Sequence, residues 1–384
     1  MIEEFGAAAA VALAAAATLR ADIRAGAGRW TPDTYDYAIR MLMRRGLSQA
    51  EATERATAFF APAWPGKEKH AKGAFRGEPM WWTLFAPRLV YPALAAALFP
   101  RRGFAALNDV PAASYVAGAV ALYGFLRRFG DRTSAVALTL WYLRQSAARD
   151  VAVRALSDST AMLLWIASLD AMVEIADEGT GWVRYAGLVS ALSFTRPLPY
   201  LPLAAGGVLA LSGVVRGDGA RVRAGAGITA LALGCAFAVA AVLARAGAPS
   251  MRQHLERVRE LQGAEGDSVR LRRFAAAFGL QDDPAHSMAR WYAGRVALTV
   301  AASVKYATFA VVPLIALPGL ARPHRNAVPL LIGALLGGLA GCVADPEPAS
   351  SRRTIVLPLF PVFAAGCVLA LARLKRSKRE PDQP

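Results

Sequence analysis

Two aspartates three residues apart, Asp33 and Asp36, stand in the stretch WTPDTYDYA at 30–38, interleaved with Tyr35 and Tyr37. An acid at such a place has two uses. It can compensate a helix start, because Pro32 suits an early helical position and a first-turn carboxylate meets the positive end of the helix dipole. It can also act as a general base that takes the proton of an acceptor hydroxyl. A second acidic stretch, AARDVAVRALSDS at 147–159, carries Asp150 and Asp158. Asp158 or Ser157 reads as the N-cap of the apolar run that follows, or Asp158 and Asp150 converge with the first pair on an acceptor or a metal. The candidate cations are Arg88, Arg196, Lys305, Arg352 and Arg353. Arg196 lies in FTRPLPYLP, where Pro197, Pro199 and Pro202 must break a helix. Such a break at a membrane edge is tolerated where it lines a cavity, so Arg196 either binds something there or snorkels to head groups. Several cations on one face suit a phosphate leaving group, whose negative charge grows during transfer.

These residues are positioned by apolar elements. The chain has 384 residues, 55% of them hydrophobic and 19% charged, with a mean hydropathy of +0.33. That is too apolar for an ordinary soluble domain. Apolar runs recur at 5–19, 110–126, 133–143, 159–173, 183–195, 198–215, 224–244, 296–319, 327–344 and 354–372. A spanning helix needs roughly 20 residues and at least about 17, so the later runs qualify alone and several early ones with their flanks. The expected fold is an all-α, polytopic membrane protein of about ten transmembrane helices in a single domain. Lys305 then lies about three helical turns into its span.

The tail RLKRSKRE follows the last run, which places the C-terminus in the cytoplasm by the positive-inside tendency. Counting backwards, the basic loops 127–132, 216–223 and 322–326 fall inside, together with the N-terminus. Segments 20–109 and 247–295 become large outer loops, and Arg149, Arg196 and Arg352 face outward. Residues 84–99 are apolar but interrupted by Pro92 and closed by Pro100-Arg101-Arg102, so they read as a surface or re-entrant helix on the outer side. Within the first outer loop, Gly46 is placed to end one helix and Ser48 to open the next. The outer loops carry many arginines, Arg20, Arg24 and Arg29 among them, a basic surface suited to phosphates.

The net charge of +16 is spread between apolar runs without a basic recognition face, so nucleic acid is not an expected partner. Membrane lipids and a lipid-linked phosphate are. Cys235, Cys342 and Cys367 all fall in apolar runs, and His70, His254, His286 and His324 are scattered over loops. Neither set has the spacing of a disulfide framework or a histidine metal site.

In order along the chain come a first span, DTYDYAIRM at 33–41, GLSQAEA at 46–52, RLVYP at 88–92, Ser157-Asp158 before a span, Arg196-Pro197 after one, and arginines before a last proline-containing span. This succession resembles the GT-C superfamily, integral glycosyltransferases that move a sugar from a polyprenyl-phosphate donor to an acceptor on the outer membrane face. The resemblance implies an acid of the first outer loop as catalytic base, here Asp33 or, failing that, Asp36. It also implies acids of the second outer loop, Asp158 or Asp150, as ligands of acceptor or metal. By the residues themselves, Tyr35 and Tyr37 would shape the acceptor pocket or sit at the interface, and Arg196 with Arg352 or Arg353, near Arg88 and Lys305, would hold the lipid phosphate. The doubled D-x-D or E-D of many members is absent, which leaves open both the base, between two residues, and the use of a divalent metal. The implied activity is inverting transfer to an envelope glycan, lipid or protein in the cytoplasmic membrane. A transporter or flippase of a lipid-linked saccharide is the alternative, although the chain lacks the internal repeat of many transporters. A non-catalytic membrane scaffold is the third reading.

Overall fold

The computed structural model describes residues 2–25, 30–63, 86–248, 292–294, 296–297, 326–344 and 351–377. Among these, the assigned elements are helices: α1 Ile2–Arg24, α2 Pro32–Met43, α3 Gln49–Ala63, α4 Val90–Arg102, α5 Ala106–Arg127, α6 Arg132–Arg144, α7 Ser146–Val153, α8 Asp158–Glu178, α9 Trp182–Ser193, α10 Tyr200–Arg216, α11 Gly219–Arg245, α12 Ala327–Ala344 and α13 Ser351–Ser377. A single 3-10 turn, Gly103–Ala105, joins α4 to α5.

The all-helical architecture stands, and the span count is coarser than expected. Among the described residues, four helical runs, containing α1, α5, α8 and α11, are long and apolar enough to cross a bilayer. Shorter apolar stretches lie in α10, α12 and α13. The runs expected to span at 133–143 and 183–195 are α6 and α9, helices of 13 and 12 residues. Both fall short of the roughly 17 residues a bilayer requires. Most of the run 296–319 lies outside the described residues.

Residues 90–127 form one nearly unbroken helical stretch, yet they do not make one rod. In a straight helix, residues 16 apart are about 24 Å apart, whereas the Tyr91 hydroxyl donates to the Leu107 carbonyl at 2.5 Å. The chain reverses at Gly103, whose φ of 56° and ψ of −143° are open to glycine and strained for any other residue. Residues 90–102 therefore fold back beside the start of α5 as a separate short helix, and Arg102 pairs with Asp109 at 2.6 Å across the corner.

Two buried clusters follow. The larger one fills the bundle of α1 and α5–α13. Within it, α10 is sandwiched between α11 and α12 through glycine: a Cβ at Gly225 would collide with the Ala210 amide, and one at Gly333 with the Ala204 carbonyl. Small residues let helix backbones meet where apolar solvent gives no driving force for association. Exposed Leu13, Val183, Leu211 and Phe237 ring the same bundle with apolar side chains. The smaller cluster joins α2, α3, α4, the first residues of α5 and Leu156 in a layer at one end.

Charged ties mark both ends. Glu4 is held by Arg127 and Glu3 by Arg132, while Asp22 is held by Arg149. The separation from Glu4 to Asp22 along α1 is about 27 Å, close to the roughly 30 Å of a hydrocarbon core. At the Glu4 end, Arg128 pairs with Asp170 of α8. Asn326 donates to the Ala176 carbonyl at 2.8 Å and accepts from Arg221 Nε at 3.0 Å. Those contacts put the loops at 127–132, 216–223 and residue 326 on one face, and the α2 layer lies at the other.

Candidate functional site

The polar site sits in the α2 layer and is assembled from four separate stretches of chain. Helix α2 begins at Thr31, whose backbone is extended (φ −131°, ψ 163°), with Pro32 in the first helical position. Thr34 Oγ1 accepts from the Thr31 amide at 2.9 Å, so the cap is a threonine pair and Asp33 is not needed for it. Thr34 Oγ1 also donates to the Ala155 carbonyl at 3.3 Å, which docks the helix start beside the approach to α8. On the other flank, Tyr35 bonds Thr57 of α3 at 2.6 Å and Trp30 packs edge-on against Phe60 at 5.3 Å. Helix α2 ends where Gly46 takes a φ of 93°, and Ser48 opens α3 in a reciprocal box with Glu51, as the sequence implied.

Covered on both flanks, α2 buries its polar residues too. Tyr37 is fully buried and its hydroxyl is the centre of a bridge: Arg88 Nη1 donates to it at 2.9 Å, and it lies 2.9 Å from Ser157 Oγ. The phenol oxygen accepts from Arg88, and either hydroxyl can donate in the bond between Tyr37 and Ser157. Arg88 is held in place from the backbone as well. The Phe194 carbonyl accepts from the Leu89 amide at 2.6 Å and from the Val90 amide at 3.1 Å, which supplies α4 with the cap its own side chains lack. The same turn, between α9 and α10, carries Arg196. Its guanidinium pairs with Asp158, a residue only 4% exposed at the first position of α8.

The two acids of the opening stretch differ sharply. Asp33 is half-buried in the first turn of α2, and Asp36 is 2% exposed. Asp36 Oδ2 has no hydrogen-bond partner among the described residues. Burial, and next the like charge of Asp33, push the Asp36 carboxyl up to about 7, against the pull of Arg40 and Arg88. Burial likewise brings Arg40 down to about 10. The result is a cluster of three acids, Asp33, Asp36 and Asp158, with three arginines, Arg40, Arg88 and Arg196.

Of the expected site residues, the fold brings together Asp33, Asp36, Tyr37, Arg88, Asp158 and Arg196. Asp150 is exposed on α7, where its neighbour Arg149 turns to Asp22, and none of the ties that build the cluster involves it. Lys305 lies outside the described residues. So do the side chains of Arg352 and Arg353, whose backbone starts α13. Arg40 and Thr34 were not singled out from the sequence. Arg40 was findable, since it stands four residues after Asp36 on one helix face; the Thr34 contact with Ala155 was not. Among the described residues no three His, Cys, Asp or Glu side chains gather as metal ligands.

Chemically, the cluster offers a carboxyl that changes charge near neutral pH beside fixed positive charge. That combination serves proton abstraction next to an anion. Searches among family models, curated proteins and solved structures give no match to this chain.

Proposed function

We propose that the chain is an integral membrane glycosyltransferase of the GT-C kind, moving a sugar from a polyprenyl-phosphate donor to an acceptor at the outer face of the cytoplasmic membrane, with inversion. The observation that carries this reading is the convergence of Asp33 and Asp36 with Arg88, Arg196 and Asp158 at one end of an apolar helical bundle. The α2 layer then faces outward and both chain ends lie in the cytoplasm; a count of ten spans takes in α10, α12, α13 and the run at 296–319, and requires α6 and α9, each too short to cross alone, to span together with their flanking residues.

In this reading Asp36 is the base. Its Oδ2 accepts the acceptor's hydroxyl proton, the acceptor oxygen bonds the sugar C1, and the C1–O bond to the lipid phosphate breaks with its electron pair passing to the phosphate oxygen. Arg88 and Arg196 hold the charge that develops there. Arg88 is aimed by Tyr37 and Ser157, and Arg196 exchanges Asp158 for the phosphate. Burial, and next the charge of Asp33, keep the proton affinity of Asp36 high. Because Asp36 is covered, acceptor binding must uncover it. The steps need no redox cofactor. A divalent metal, if used, would supply further positive charge at the phosphate, and Asp158 is the acid of this cluster that would be freed to hold it once Arg196 turns to the phosphate.

The test is transfer of label by purified protein from radiolabelled polyprenyl-phosphate sugars to components of a membrane extract, with products resolved. Transfer that falls about 100-fold or more in Asp36→Asn supports the reading. Movement of a labelled lipid-linked saccharide across proteoliposomes without any glycosyl transfer would make the chain a transporter and refute it.

A further inference from the structure

Away from the polar cluster, the outer ends of α1 and α5 part to leave a groove of about 450 Å³. Ala16, Leu19 and Ile23 of α1 and Ala112, Ala113 and Val116 of α5 make its apolar wall, and Arg20 and Arg24 close its outer end. We infer that this groove is a binding site for one anionic bilayer lipid, with an acyl chain against the small apolar wall and a single phosphate between Arg20 and Arg24.

Four observations carry the assignment. Arg20 and Arg24 are four residues apart on one helix face, where side chains start about 5–6 Å from each other, a spacing that lets both reach one phosphate. Both are exposed, and among the described residues no salt bridge takes up either, whereas the acid between them, Asp22, is already neutralised by Arg149. Their depth is right: measured along α1 from Glu4, which is clamped to Arg127 at the opposite end, they lie at about 24 and 30 Å. A phosphate layer bounds a hydrocarbon core of about 30 Å at that level. The wall also fits a chain better than a side chain or a helix, because its α5 side is built largely from alanines and offers no polar partner.

The site is separate from the proposed donor site, so its test does not depend on transfer. Full-length protein purified in detergent is titrated with phosphatidylglycerol or phosphatidylcholine of equal chain length, and bound lipid is counted by native mass spectrometry. One saturable phosphatidylglycerol is expected, with millimolar inorganic phosphate unable to displace it. Each arginine at the surface contributes roughly fivefold to anionic-lipid binding, so Arg20→Gln with Arg24→Gln should weaken that lipid about 30-fold. Ala113→Trp, which fills the groove and keeps both charges, should also abolish retention. The control pair Arg216→Gln with Arg223→Gln, at the opposite end of the bundle, should leave it unchanged. Equal retention of phosphatidylcholine, or equal loss in the control pair, would reduce the effect to general charge or chain partitioning and overturn the assignment. So would retention that survives both the double variant and Ala113→Trp.

Discussion

Replacing Asp36 by Asn should make the protein more stable and less active, and the stability gain should depend on pH. The carboxyl of Asp36 lies near 7 in the fold against 3.8 when free, a rise of about three pH units that is worth about 4 kcal/mol. Its sign is destabilising. Below the free value the group is protonated in both folded and unfolded chains and costs nothing; as pH rises toward 7 the unfolded chain ionises freely while the fold resists. Roughly 2 to 3 kcal/mol of this penalty develops between pH 5 and pH 8. Asn keeps the shape and cannot ionise, so Asp36→Asn should gain that amount over the wild type across the same window. Unfolding in mixed micelles at pH 5, 6.5 and 8 reads the gain directly. Asp33→Asn removes the second cause of the shift and leaves burial, the first, so it should reduce the pH dependence without abolishing it. In a transfer assay Asp36→Asn should be the weaker enzyme by about 100-fold or more. If Asp36→Asn shows no pH-dependent gain, the carboxyl is ionised and satisfied in the fold, and the case for a base at this position fails. If it gains stability and keeps full transfer, the base lies elsewhere, with Asp33 next in line.

Three further outcomes are expected. Arg196→Ala leaves Asp158 charged and covered, so it should destabilise by about 3 to 5 kcal/mol, and Asp158→Asn in the same chain should recover part of the loss in a double-mutant cycle. Gly225→Ala forces a methyl against the backbone of α10 and should destabilise by roughly 1 to 3 kcal/mol, whereas Gly207→Ala, with nothing within 4 Å, should be neutral or stabilising; thermal unfolding of the two variants in parallel separates the cases. Finally, a cysteine at Arg45, exposed beyond α2, should react with an impermeant thiol reagent in intact cells, and one at Arg223 should react only after permeabilisation. The reverse pattern would turn the polar site toward the cytoplasm.

Much of the local structure is legible along the chain. Apolar composition implies helices in lipid, because there every backbone donor and acceptor must be met within its own segment. Gly46 ends α2 and Ser48 with Glu51 opens α3, since those residues act through neighbours a few positions away. Pro197 and Pro199 leave the turn between α9 and α10 that carries the arginine, whereas Pro202, expected to break a helix too, sits in the first turn of α10, where proline is tolerated. Even the acids and arginines of the site could be gathered as candidates, because ionisable groups beside membrane segments are costly and few.

What the tertiary structure alone decided is which of those candidates meet, and in what medium. Nothing local joins Tyr37 to Ser157, 120 residues away, or Arg196 to Asp158. Nor does helical periodicity place Asp150 outside the group, because it reports which face of a helix is covered and not what covers it. The sequence already implied a short helix within 84–99, but only the reversal at Gly103, tied by Tyr91 to Leu107, lays it back beside the start of α5 and against α2. The contrast between Asp33 and Asp36 is of the same kind. Three residues apart they are equivalent as letters, but α2 is covered on both flanks, so a turn of the helix takes one carboxylate to the partly open helix start and the other into the packed layer. Proton affinity follows from desolvation and neighbouring charge, and both are set by segments that come together only when the chain folds.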